Sequence, residues 1–168
     1  MKILKNAETE KAKRYFEIAK TAALASPCYR SKCGAAIVSD GTVIGRGFNS
    51  PLGNQRLEKC LKDDLPPNFN SDKTCCVHAE QRALKDALIM NRFKLKNSII
   101  YFARLDLDNN FIPAEKPYCT ICSKDALDSG VKEWVLWHDF GIVSYDSLEY
   151  NEISFGLKKW NPILFTKS

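Results

Sequence analysis

His78 and Glu80, two residues apart, together with Cys119 and Cys122 further along the chain, are the residue types from which a metal-dependent catalyst can be assembled. One imidazole and two thiolates supply three nitrogen and sulfur ligands to zinc, and a tetrahedral ion held by three protein ligands keeps its fourth position open for water. Bound zinc lowers the pKa of water from 15.7 to about 7, which provides a nucleophile at neutral pH without a strong base. Glu80, not itself a ligand, is placed to take a proton from that water and pass it to a substrate nitrogen. The spacing of three between Cys119 and Cys122 sets both thiolates on one face of a helical turn. Two other assemblies remain open to the same residues. A further cysteine would complete a closed, structural four-ligand site, and Cys119-Thr120-Ile121-Cys122 alone is compatible with a redox pair.

The elements that must position these groups can be read from hydrophobic spacing. Ala12, Phe16, Ala19 and Ala23 recur at helical intervals opposite Lys11, Lys13, Glu17 and Lys20, which predicts an amphipathic helix over Ala7 to Ala25, stopped by Ser26-Pro27. Ala35 to Ser39 and Thr42 to Phe48 flank Asp40-Gly41, a dipeptide suited to the positive φ values of a tight hairpin turn. Asn49 to Thr74 holds prolines, glycine and asparagines without a sustained period, and is expected to be a long loop with one short helix around Gln55 to Leu61. Val77 to Met90 returns to helical spacing, with His78 and Glu80 in its first turn. Ser98 to Ala103 reads as a central strand covered on both faces, and Cys119 to Ser129 as a helix ended by Gly130. Trp134 to Trp137 and Ile142 to Tyr145 are further strands, followed by a helix over Ser147 to Lys159. Only Asp139-Phe140-Gly141 and its neighbours separate those last two strands, which favours antiparallel pairing, because a parallel crossover takes a dozen or more residues.

At 168 residues, 45% hydrophobic and 27% charged, the chain is expected to form one α/β domain over residues 1–168. No apolar stretch at Met1-Lys2-Ile3-Leu4-Lys5-Asn6 reads as a signal peptide and no run approaches membrane-spanning length, so the expectation is a cytoplasmic protein without a membrane partner. Seven cysteines in such a chain speak for metal ligation or free thiols over a disulfide framework. The net charge of +5 is scattered, and suits an anionic nucleotide as well as a nucleic acid.

The motif His78-Ala79-Glu80 followed by Pro117-Tyr118-Cys119-Thr120-Ile121-Cys122 resembles the zinc-binding signature of the cytidine and deoxycytidylate deaminase superfamily. Ser26-Pro27-Cys28-Tyr29-Arg30, Cys33-Gly34-Ala35-Ala36-Ile37-Val38 and Gly45-Arg46-Gly47-Phe48-Asn49 resemble, in that order, the amino-terminal half of a deoxycytidylate deaminase. One departure is that Pro117 lies two residues before the first cysteine, with Tyr118 inserted. The resemblance implies a three-layer cytidine deaminase-like fold, with a mixed sheet of about five strands flanked by helices. It also implies hydrolytic deamination of a cytosine nucleotide, dCMP first among them, to the uracil nucleotide, with Zn2+ held by His78, Cys119 and Cys122 and Glu80 as the proton carrier. The last two strands of deoxycytidylate deaminases have a helix between them, opposite to what the short connection favours, so their orientation stays open.

The resemblance extends to residues around the metal. Asn49, Ala79 and Tyr118 are the expected substrate contacts, although Asn49 before Pro51 also suits a simple turn and Tyr118 also suits a filler of the gap left by the shifted proline. Cys28, Cys60 and one of Cys75 or Cys76 resemble positions that gather a second, structural zinc in some deoxycytidylate deaminases; Cys33 is a candidate fourth ligand, although at a strand start it reads more readily as core. Arg30 and Arg56 are candidate phosphate ligands that also suit solvated surface. His138 has no evident partner, and Trp134, Trp137 and Phe155 read as core aromatics. A homo-oligomer is the expected assembly. The competing functions are deamination of a base within RNA or single-stranded DNA, and a catalytically silent zinc-binding scaffold.

Overall fold

The computed structural model describes residues 1–66 and 76–161. A sheet in the order β1-β9-β8-β6-β2-β3, with β7 also paired to β6, forms the middle layer. Its long members are β2 (Lys32–Ser39), β3 (Thr42–Phe48), β6 (Ile99–Leu105), β8 (Glu133–His138) and β9 (Gly141–Asp146), as the sequence leads one to expect; the edge pieces β1 (Lys2–Ile3) and β7 (Phe111–Ile112) were not anticipated. A separate two-residue pairing joins β4 (Ser50–Pro51) to β5 (Cys76–Val77). The sheet is mixed because β6 and β8 run parallel while the other neighbours are antiparallel.

Helix α1 (Ala7–Leu24) covers one face through Ala12, Phe16 and Ala19, which pack on Ala36, Val38, Tyr101 and Val135. Helices α2 (Ala79–Asn91), α3 (Thr120–Asp128) and α4 (Ser147–Phe155) cover the other face, over Ile37, Ile100, Trp134, Leu136 and Tyr145. The strands alternate accordingly: along β6, Ile100 and Phe102 face the three-helix side and Tyr101 and Ala103 the α1 side.

Local chemistry accounts for the boundaries. Asp40 (φ 48°) and Gly41 (φ 77°) are both left-handed, as a two-residue turn with the twist of its flanking strands demands. Gly130 (φ 86°) follows α3 in the same conformation, and the Asp146 carboxylate caps α4 by accepting from the Leu148 and Glu149 amides. Helix α4 stops at Phe155 because Gly156 turns left-handed there (φ 86°), short of the expected end at Lys159. Phe155 is exposed, which corrects its reading as a core residue; Trp134 is fully buried and Trp137 packs in the α1 layer. The helix expected around Gln55 to Leu61 is replaced by single 3-10 turns at Leu52–Asn54 and Leu61–Asp64. Strands β8 and β9 form an antiparallel hairpin, which resolves their orientation in favour of the short connection.

Helix α2 lies flush against β3. A Cβ at Gly45 or Gly47 would collide with the backbone of Ala83 and of Ala79 respectively, so only glycine lets the start of α2 sit this deep.

Candidate metal centre and substrate cavity

His78 is the N-cap of α2 and Cys119 the N-cap of α3, so both ligand clusters stand at helix starts, His78 one residue ahead of its expected place in the first turn. The Gln81 side chain accepts from the His78 amide at 3.2 Å, and the Cys119 sulfur accepts from the Cys122 amide at 3.3 Å. These caps use helix-start donors that lack intrahelical partners. They also fix the directions of the side chains that leave the two helices.

The three donor atoms converge. His78 Nδ1 lies 3.2 Å from Cys119 Sγ and 3.3 Å from Cys122 Sγ, and the two sulfurs are 2.8 Å apart. Among the described residues, these three form the one group of His, Cys, Asp or Glu donors close enough to share a metal ion. In the protein alone the two sulfurs share a hydrogen bond, which holds Cys119 down to about 5 and pushes Cys122 up. The contact with Cys119 raises His78 above the ordinary imidazole value. Such a cluster competes for protons because it is made of good metal donors. Thiolate and imidazole suit zinc, and a cation there would release the shared protons.

Glu80, in the first turn of α2, is 6% exposed and lines the same cavity. Burial pushes its carboxyl up to about 7, only partly offset by the charge of His78. The cavity measures about 450 Å3, which suits a small molecule of nucleotide size. His78, Ala79, Glu80 and Cys119 form its metal side, and the loop residues Cys28, Arg30, Ser31 and Asn49 also line it. Phe102 and Arg104 on β6, Leu136 on β8 and Tyr150 on α4 complete the wall, with Tyr118 63% exposed beside Cys119. Tyr150 stacks on Trp134 with ring centroids 4.2 Å apart, which fixes that part of the wall.

Asn49 lines the cavity, but most of its amide is engaged in holding the Ser26–Cys33 loop. Its Oδ1 accepts from the Cys33 amide and the Ser26 hydroxyl, each at 2.7 Å, and its Nδ2 donates to the Ser31 carbonyl at 3.1 Å. The Asn49 side chain also bonds to the Cys28 thiol and helps to hold that thiol down. Arg30 also lines the cavity, with its guanidinium on Asp63 at 2.6 Å; Arg56 is exposed and outside the wall. His138 is buried and structural: Nδ1 donates to the Ala114 carbonyl at 2.7 Å and Nε2 accepts from Tyr145 at 2.8 Å. Together with the Ala114 amide bonded to Trp137, this anchors the segment that leads into Cys119.

Cys28, Cys60 and Cys76 line a second, shallow pocket beside the main cavity, where Cys76 holds the Cys28 thiol down to about 5. Cys75, named with them for a second metal, lies outside the described residues. Cys33 lines the main cavity, with its thiol pushed up to about 12 by burial, as a core thiol would be.

Sequence reasoning missed Phe102, Arg104, Leu136 and Tyr150. Only Arg104 left a signal, as a charge near the end of the otherwise apolar strand Ile99–Leu105.

The family described as the cytidine and deoxycytidylate deaminase zinc-binding region matches residues 9–138. The chain belongs to this family. It is therefore a zinc-binding hydrolytic deaminase by class. A deoxycytidylate deaminase of Mycobacterium phage D29 is 30% identical over 127 residues, which cover 72% of this chain and 89% of the relative. Among solved structures, the dCMP deaminase of cyanophage S-TIM5 in complex with dCMP and dUMP is 22% identical, covers 77% of this chain and 82% of its own, and superposes with a TM-score of 0.54. A cytidine deaminase from Burkholderia pseudomallei is 20% identical, with coverage of 82% and 94% and a TM-score of 0.54. At these identities the two structures bear on the fold alone, and they share the cytidine deaminase-like architecture. Among the described residues no helix is long and apolar enough to cross a membrane.

Proposed function

We propose that this deaminase converts dCMP and water to dUMP and ammonia, with residues 1–168 acting as one domain. The observation that carries the proposal is the buried Glu80 carboxylate in one cavity with a His78, Cys119 and Cys122 cluster in which the described residues supply three donors and no fourth. Deoxycytidylate deaminase is also what the phage D29 relative is named.

In this reading His78, Cys119 and Cys122 hold the zinc. When bound, the ion supplies Lewis acidity that brings the pKa of water down to about 7. Glu80 accepts a proton as the water oxygen adds to C4 of the cytosine ring. The same carboxylate passes that proton to ring N3 and then moves the remaining hydroxyl proton to the exocyclic nitrogen, the C4–N bond breaks, and ammonia leaves the uracil product. Ala79 and Tyr118 border the base, and Asn49 stands beside the sugar.

The test is ammonia release from a panel of cytidine, deoxycytidine, their mono- and triphosphates, and short RNA and DNA strands. The expected result is turnover of dCMP above the rest. Turnover of polynucleotides alone would overturn the free-nucleotide reading, and silence across the panel would leave a zinc-binding scaffold. A second zinc on Cys28, Cys60 and one of Cys75 or Cys76 is a separate part of the proposal. Two zinc ions per chain, falling to one in Cys60→Ser, support it; one per chain in the unmodified protein removes it. Homo-oligomerisation is likewise proposed, and sedimentation of the zinc-loaded protein checks it.

A further inference from the structure

Among the described residues, Arg104 is a charge without a counter-charge. It sits near the end of β6 on the three-helix face, following Phe102 by two positions, and across β2 it is in register with Cys33. Phe102, Cys33 and Arg104 all line the cavity. The Arg104 Nε is buried with no hydrogen-bond partner, and the guanidinium forms no ion pair with any described residue. A buried polar group left in this state costs on the order of 1–3 kcal/mol, and more when it is charged. Groups of this kind in a native fold call for a ligand, an ion or water.

The other charges on the wall point to the sign of that ligand. Arg30, Lys62, Arg104 and Lys116 line the cavity against two acids, Glu80 and Glu115. Arg30 is already committed to Asp63, and Glu115 is exposed. Glu80 cannot neutralise the excess while it serves the metal side. Cys33 senses the charges of both Glu80 and Arg104, so the two groups act within one small region and a single bound molecule can meet both. A planar guanidinium fork matches two phosphate oxygens at once, which an ammonium cannot do.

We propose that Arg104 is the specificity-determining residue for the 5′-phosphate of the nucleotide, its guanidinium receiving the phosphate while the base lies at Glu80. The assignment rests on the dCMP reading above and sharpens it: it explains how the chain would separate a nucleotide from the bare nucleoside.

The experiment compares kcat and KM for dCMP and deoxycytidine in the zinc-loaded protein and in Arg104→Gln, with thermal melting to check the fold. Arg104→Met takes its place should the glutamine variant not fold. The expected result is a fall on the order of a hundredfold in the preference for dCMP over deoxycytidine, carried by KM for dCMP. Arg104→Lys recovers part of it. Equal losses on both substrates, or an unmoved preference, overturn the assignment while leaving the dCMP reading intact. An unmodified protein that releases ammonia from neither compound defeats the dCMP reading. Arg104 is then judged by calorimetry with dUMP and deoxyuridine: tighter binding of dUMP that disappears in Arg104→Gln supports it, and equal binding overturns it.

Discussion

The two sides of the cavity are built by different physics. The metal side is secondary structure packed at the closest range that side chains allow: α2 rests on Gly45 and Gly47 of β3, and two helix N-caps aim His78 and Cys119 at one point. The loop side is irregular chain, held by side chains bonding to backbone, as Asn49 does to Cys33 and Ser31. Backbone packing fixes the reacting groups within narrow limits, whereas the polar clamps position the residues that would recognise the rest of the substrate. Damage on the first side should therefore appear as lost turnover or lost fold, and damage on the second as altered affinity.

The comparison can be tested from its strongest consequence downward. Glu80→Gln keeps the side-chain volume but removes the proton acceptor, so kcat should fall by about 10²–10⁴ while zinc content, read by metal analysis, is retained. Undiminished ammonia release would take the proton transfer away from this residue. Gly47→Ala drives a methyl into the backbone of Ala79, and overpacking of this kind costs about 1–3 kcal/mol or more. Denaturant unfolding should show that loss together with weaker zinc retention; an unchanged midpoint would mean that α2 can give way. Asn49→Ala leaves buried partners without their bonds on the loop side, so a stability loss of about 1–3 kcal/mol should accompany a KM that rises more than kcat falls. A pure kcat effect would place Asn49 with the reacting groups instead.

The smallest expected effect concerns pH. Burial holds His138 below its ordinary value of 6.5, so the folded protein binds its proton less readily than the unfolded chain. The stabilising contribution is complete above pH 6.5 and is lost as pH falls from there through the folded-state value. Melting curves from pH 8 down to pH 5 should show a steeper decline for the unmodified protein than for His138→Gln. Parallel curves would remove His138 from the account.

How much of this was legible in the sequence follows the same division. The helical periods of α1, α2 and α3 could be read because each buries one face, the apolar runs of β2 and β6 because they are covered on both, and the Asp40-Gly41 turn leading into β3 because its conformation demands those residues. His78, Glu80, Cys119 and Cys122 could be singled out because metal chemistry restricts both residue type and spacing. The loop side could not be read in that way. The clamp of Asn49 on Ser26, Ser31 and Cys33 joins positions distant in sequence, and no local pattern encodes it. Arg104 and Tyr150 reach the cavity only through strand register and the packing of α4, both of them tertiary facts. The orientation of β9 could be anticipated from connection length alone, where the family resemblance pointed the other way.

The seam between β3 and α2, where Gly45 and Gly47 meet Ala79, Ala83 and Ala87, has a consequence for how such a molecule can change over generations. With no spare volume along that line, nearly every replacement there shifts the catalytic machinery and is discarded by selection. New preferences for one metabolite over another must then arise across the cleft, in segments whose bonds can be exchanged one at a time.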